Sequence, residues 1–115
     1  MNIELLRQIC LSLPAVTEDV KWESNLCFCI AGKIFCIANL EPPHTFSFKV
    51  SKEEFDEMTE TDGFQPAPYL ANANWILVTD SSRLSKTELK NYLQRSYEMI
   101  KSKISKKKRL ELGLE

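Results

Sequence analysis

Glycine is scarce in this chain and histidine scarcer. Only Gly32, Gly63 and Gly113 stand among 115 residues, far apart from one another. A phosphate-cradling loop or a dinucleotide fingerprint needs several glycines within one turn, and neither can be built from these three. His44 is the single histidine. No G-x-S-x-G elbow and no cysteine-protease signature surrounds a candidate nucleophile, so no catalytic residue can be named and a non-enzymatic protein is expected. His44 itself reads as a solvated or capping residue at the start of a strand. No stretch approaches the roughly 18 apolar residues that would cross a bilayer. Met1-Asn2-Ile3-Glu4 lacks the basic start and apolar run of a signal peptide. A cytoplasmic, monomeric chain without cofactor or membrane partner is the expectation.

What is present is a core. Hydrophobic residues make up 43% of the sequence, enough for one compact domain over residues 1–115. The four cysteines, Cys10, Cys27, Cys29 and Cys36, are read as reduced thiols, because a reducing compartment disfavours disulfides. Net charge is only −1, which is no signature of nucleic-acid binding, but its distribution is uneven. Through Asp80 there are five basic residues against twelve acidic. From Ser81 onward there are ten basic against four acidic, ending in Lys106, Lys107, Lys108 and Arg109. Gly63 to Thr79 carries no charge at all and holds Phe64, Tyr69 and Trp75.

Periodicity sets the elements. Ile3, Leu6, Ile9, Cys10 and Leu13 recur at helical spacing, so Asn2 to Leu13 reads as a helix capped by Asn2 and closed by Pro14. Thr17-Glu18-Asp19 reads as a turn after Pro14, not as a catalytic carboxylate pair. Leu26 to Leu40 alternates as a β-hairpin turning at Gly32, which puts Phe28, Ile30, Phe35 and Ile37 on one bulky face, to be buried against the first and last helices. The thiols of Cys27, Cys29 and Cys36 fall on the other. His44 to Val50 forms a further strand. Ser51 with Glu54, and Ser85 with Glu88, are capping boxes that open a short helix, ended by Gly63, and a long one. Trp75 to Thr79 is a β-branched strand between them. From about residue 105 the chain reads as a basic tail that frays, with Ile104 the last apolar position to pack. The sum is α+β: a largely antiparallel sheet with helices packed on one face.

Cys27-x-Cys29 with Cys36 could supply three thiolates to a metal, but structural zinc sites use four ligands, so small side chains on a sheet face are the favoured reading and no metal is expected. The C-terminal lysines suit phosphate contact or, equally, a solvated helix end opposing the macrodipole.

"LPAVTEDVKW" (Leu13 to Trp22), "GKIF" (Gly32 to Phe35), "PAPYLANANW" (Pro66 to Trp75) and "SYEMI" (Ser96 to Ile100) occur in an order that resembles the MmcQ/YjbR-like family across nearly the whole chain. The resemblance implies a single α+β domain of a double-wing DNA-binding type, in a family of small, bacterial, cytoplasmic proteins without an assigned reaction. Members often carry basic residues between the tyrosine and the tryptophan. Here those positions read Leu70-Ala71-Asn72-Ala73-Asn74, which removes phosphate-neutralising charge.

Two functions of different class follow. In the first, Lys33, Lys49, Tyr69, Asn72 and Trp75 form a contact surface for DNA, helped by Lys106, Lys107, Lys108 and Arg109, and the binding is expected to be weak, non-specific and carried mainly by that C-terminal segment. In the second, the open sheet face near Trp75 binds a small molecule or a protein. Phe64 and Leu77 are expected to be wall, and Tyr69, Asn72 and Trp75 surface.

Overall fold

A computed structural model describes residues 2–68 and 70–114. Helix α1 (Ile3–Leu11) is followed by strands β1 (Val16–Lys21), β2 (Asn25–Ile30), β3 (Lys33–Asn39) and β4 (Phe46–Lys49). Helix α2 (Lys52–Met58) leads to β5 (Phe64–Pro66) and β6 (Trp75–Val78). Helices α3 (Lys86–Lys101) and α4 (Lys106–Glu111) close the chain. The strands form one antiparallel sheet in the order β1-β2-β3-β4-β6-β5. The α+β architecture expected from the periodicity is the one observed.

The caps stand where the sequence places them. Asn2 accepts from the Glu4 amide, and both Ser51–Glu54 and Ser85–Glu88 make reciprocal capping boxes. The boundaries shift: α1 stops at Leu11 and α2 at Met58. Gly63 serves β5 instead of ending α2. Its φ is +98°, and a β-carbon there would lie 2.7 Å from Arg83 Cγ, so any side chain would meet both strain and a clash.

Local readings in three segments are corrected. Thr17-Glu18-Asp19 is no turn: it is the middle of β1, paired residue for residue with β2 from Val16↔Ile30 to Lys21↔Asn25. Turn-prone side chains are tolerated because β1 is an edge strand, where charge also discourages foreign pairing. Glu18 is held by the Arg7 Nε on α1 at 2.8 and 3.1 Å.

The hairpin turns at Ala31-Gly32, both at positive φ, but its register slips. Phe28 faces Cys36 while Cys29 faces Ile34, leaving Phe35 as the extra residue of a bulge. The bulge inverts the faces beyond it. Phe28, Ile30 and Phe35 enter the core as expected, but so do Cys36 and Ala38, while Ile37 sits opposite Cys27 on the other face. Cys36 is therefore separated from Cys27 and Cys29 by the sheet, and lies near Cys10 of α1.

The residues after 105 are not a frayed tail. Ser105 caps α4 by accepting from the Lys108 amide, Arg109 Nη1 donates to the Ile104 carbonyl at 2.6 Å, and Leu114 packs on the core. Packing thus continues past Ile104.

Helices α1 and α3 cover one face of the sheet. The Ser96 hydroxyl of α3, fully buried, donates to the Phe35 carbonyl at the bulge (2.7 Å) and accepts from the Lys49 amide (3.0 Å). Tyr97 meets Phe35 edge-on at 5.5 Å and donates its hydroxyl to the Pro14 carbonyl at 2.7 Å. Tyr92 stacks on Phe48. The helix thereby pins β3, β4 and the α1–β1 connection together.

Candidate functional site

Among the described residues no helix covers the opposite face of the sheet over its central strands, and a groove of about 670 Å³ runs there. Strand register lays out its floor. One row runs across the sheet through Ile37, Ser47 and Leu77. The row beside it contains Asn25 and Asn39, which are direct cross-strand partners, and Thr45, whose carbonyl accepts from the Asn39 amide. An apolar strip interrupted by one hydroxyl is thus flanked by a polar rail, which spans about 10 Å at the usual strand spacing.

Two segments build the walls. The first is the β1–β2 turn, where Trp22 and Glu23 both take positive φ (52° and 70°) and the Trp22 side chain is left 68% exposed. A bulky residue at positive φ is uncommon and costs energy that surrounding contacts must offset. Here the turn is tied down by Ser24 N–H donating to the Trp22 carbonyl and Leu40 N–H donating to that of Ser24, both at 2.8 Å. The second wall is the loop between β5 and β6, contributing Ala67, Pro68 and Leu70. That loop folds back on β6: the Ala67 amide donates to the Trp75 carbonyl at 3.0 Å and the Trp75 amide to the Leu70 carbonyl at 3.3 Å. Asn74 closes it in the left-handed region, which asparagine adopts more easily than most residues.

The uncharged stretch around Trp75 is therefore largely wall, but not as the sequence suggests. Trp75, expected at the surface, is 5% exposed because the loop lies against its strand. Leu77, expected as wall, is half-buried and lines the groove, and Phe64 is half-buried against the core. Asn72 is exposed in the turn Ala71–Ala73. Tyr69 lies outside the described residues.

The basic candidates do not converge. Lys33 is exposed at the β2–β3 turn, the far end of the hairpin from Asn25 and Asn39. Lys49 is half-buried and donates its ammonium to the Ala73 carbonyl. Burial, then the charge of Lys103, lowers its pKa, as desolvation and a like charge must. Lys106, Lys107 and Lys108 are exposed on α4, whereas Arg109 is half-buried. His44 is half-buried, with Nδ1 3.2 Å from the Asn39 carbonyl. The thiols are free, and among the described residues no group of three or more His, Cys, Asp or Glu is placed to hold a metal. Among the same residues no helix is long and apolar enough to cross a membrane.

Sequence reading missed the groove's main parts: Trp22, Asn25, Asn39, Thr45 and Ser47. Four of them are small polar residues within or beside strands, where alternation explains them without a site. The usable signal was Trp22, a large aromatic between a charged strand and Glu23-Ser24-Asn25.

A six-stranded antiparallel sheet with its helices on one face and a grooved second face defines a small α+β domain, and comparison places it. The chain belongs to the YjbR family, whose model matches residues 11–99. Among solved structures it is similar to protein DR2400 of Deinococcus radiodurans, which carries a DUF419 domain: TM-score 0.87, 24% identity, covering 98% of this chain and 88% of that one. It is also similar to a protein from Pseudomonas syringae, with TM-score 0.72 and 16% identity over 87% of this chain and 99% of that one. Comparison with curated protein sequences returns no match.

Proposed function

We propose that this YjbR-family domain is a non-enzymatic binding module whose open sheet face holds a small, uncharged molecule. One observation carries the reading: all ten described residues lining the 670 Å³ groove are uncharged, with apolar walls and a few polar groups on the floor. Ligand sites have this volume and this composition. Trp22 supports it, since an exposed indole at the lip offers a flat apolar face at little entropic cost. A phosphate-bearing ligand fits the lining poorly, because among the described residues no cation lines the groove.

The test uses N-phenyl-naphthylamine, a neutral dye that brightens in apolar surroundings. Saturable brightening that is lost in Trp22→Ala, with the thermal unfolding temperature unchanged, supports the reading. Brightening that is absent, or identical in that variant, removes the groove as the site.

A second reading rests on a separate surface. Lys106, Lys107 and Lys108 project from α4, and such a cluster contacts DNA phosphates weakly and without sequence preference, with Kd on the order of 10⁻⁴–10⁻⁶ M and a steep salt dependence. A salt-titrated assay with duplex and single-stranded DNA decides it. Lys106→Gln, Lys107→Gln and Lys108→Gln together should abolish the binding. These substitutions keep the helix, so folding does not confuse the result.

A further inference from the structure

We infer that the groove recognises a planar lactam, an aromatic heterocycle that carries adjacent ring N–H and C=O groups. This rests on the groove-binding reading above and specifies its ligand. The argument begins with Ser47. It is 7% exposed, it lines the groove, and among the described residues its hydroxyl has no hydrogen-bond partner. The hydroxyl is not among the sealed, unpaired polar atoms and opens to the groove, so it is free to pair with a donor or acceptor that enters there.

Asn39 gives that pairing a direction. Its Oδ1 accepts from the Glu41 amide at 2.9 Å, which fixes the orientation of the side-chain amide. The Nδ2 hydrogens are then the part left to offer, and they complement a carbonyl. Asn25, directly opposite on β2, makes no side-chain hydrogen bond and offers both a donor and an acceptor. Two neighbouring amides that line the groove, one with only its donor end left unengaged and one ambivalent, match an edge that presents C=O next to N–H.

The rest of the groove selects a flat ring. Ile37 and Leu77 flank Ser47 in the same row, giving apolar surface on either side of the hydroxyl, and the Trp22 indole stands at the lip. A ring lying on Ile37 and Leu77 places its edge toward the Asn25–Asn39 rail. An uncharged lining favours the free heterocycle over a phosphorylated form.

The experiment is displacement of bound N-phenyl-naphthylamine by hypoxanthine and by purine, which share a ring system but differ in the lactam edge. Hypoxanthine should displace the dye at a concentration about tenfold lower, the scale of one or two net hydrogen bonds. Asn39→Asp keeps the acceptor for the Glu41 amide and removes the Nδ2 donor. It should erase the preference for hypoxanthine while the dye still binds. Equal displacement by the two compounds overturns the lactam inference and leaves the groove reading standing. No dye binding, together with no calorimetric heat from hypoxanthine, overturns both. Adding uridine monophosphate and uridine separates sources: equal displacement identifies a site that tolerates a phosphorylated or strand-borne base, and weaker displacement by the phosphate confirms a free, neutral ligand.

Discussion

The two faces of the sheet are made from the same strands and have opposite fates. Toward α1 and α3 stand Phe28, Phe35, Phe46, Phe48, Ile76 and Val78, each at most 2% exposed. The one buried polar side chain used there, Ser96, is satisfied in both directions. On the other face the Ser47 hydroxyl has no partner among the described residues and opens to the groove, and its neighbours Ile37 and Leu77 are only half-covered. One face is complete within the chain. The other leaves polar groups open to the groove, free to pair with water or with whatever enters it.

The contrast is broken most severely at Phe35. Phe35→Ala should cost about 3–5 kcal/mol, because the ring is fully buried and packed edge-on against Tyr97. Urea unfolding measures it, and a loss below about 1 kcal/mol contradicts the assignment of this face as the core. Next is Ser96→Ala, which strips partners from the Phe35 carbonyl and the Lys49 amide together. A loss of roughly 1–3 kcal/mol is expected, whereas Ser47→Ala, with no partner to lose, should be near neutral. If the two variants are equally destabilised, the faces are not distinguished by polar satisfaction.

Alkaline pH probes the same difference through the thiols. Burial, then the neighbouring Cys10 thiol, pushes Cys36 well above its ordinary value of 9.0. Cys27 and Cys29 are also raised by burial, as are Tyr92 and Tyr97 above 10.0. In the unfolded chain these groups ionise first, so above about pH 9 the native state binds more protons and stability falls as pH rises. Their contribution is full below 9.0 and is lost as pH climbs through the native values. Lys49 works the other way. Its lowered pKa makes charging unfavourable in the native state, so its share of stability rises with pH in the window below 10.5. Five raised groups against one lowered group give a net alkaline loss. The urea midpoint followed from about pH 8 to pH 10 should decline, and Cys36→Ala should flatten the decline more than Cys29→Ala.

The smallest effect is expected at Trp22. Trp22→Ala should change stability by no more than about 0.5 kcal/mol, as for other exposed positions. A larger loss makes Trp22 a structural anchor of the β1–β2 turn and weakens its assignment to the groove lip.

Much of the fold was legible from spacing and capping alone. Asn2, Ser51–Glu54 and Ser85–Glu88 start their helices as read, since a cap depends on residues only two or three positions apart. The alternation Phe46, Phe48, Val50 marks its buried face correctly for the same reason. The failures are where a distant partner decides. β1 exists because β2 supplies its hydrogen bonds, against the turn preference of Thr17-Glu18-Asp19. α4 is ordered by contacts to Ile104 and the core.

The sequence by itself therefore determined the helix starts, the α+β class and the aromatic core, because caps and apolar periodicity act over a few residues. Only the tertiary structure decided the site. One bulge at Phe35 moved Ile37 to the open face and Cys36 to the closed one, since a one-residue slip exchanges the two sides of a strand. One loop folding back on β6 buried Trp75 and left Trp22, nearly the length of the sheet away in strand order, to stand at the lip of the groove.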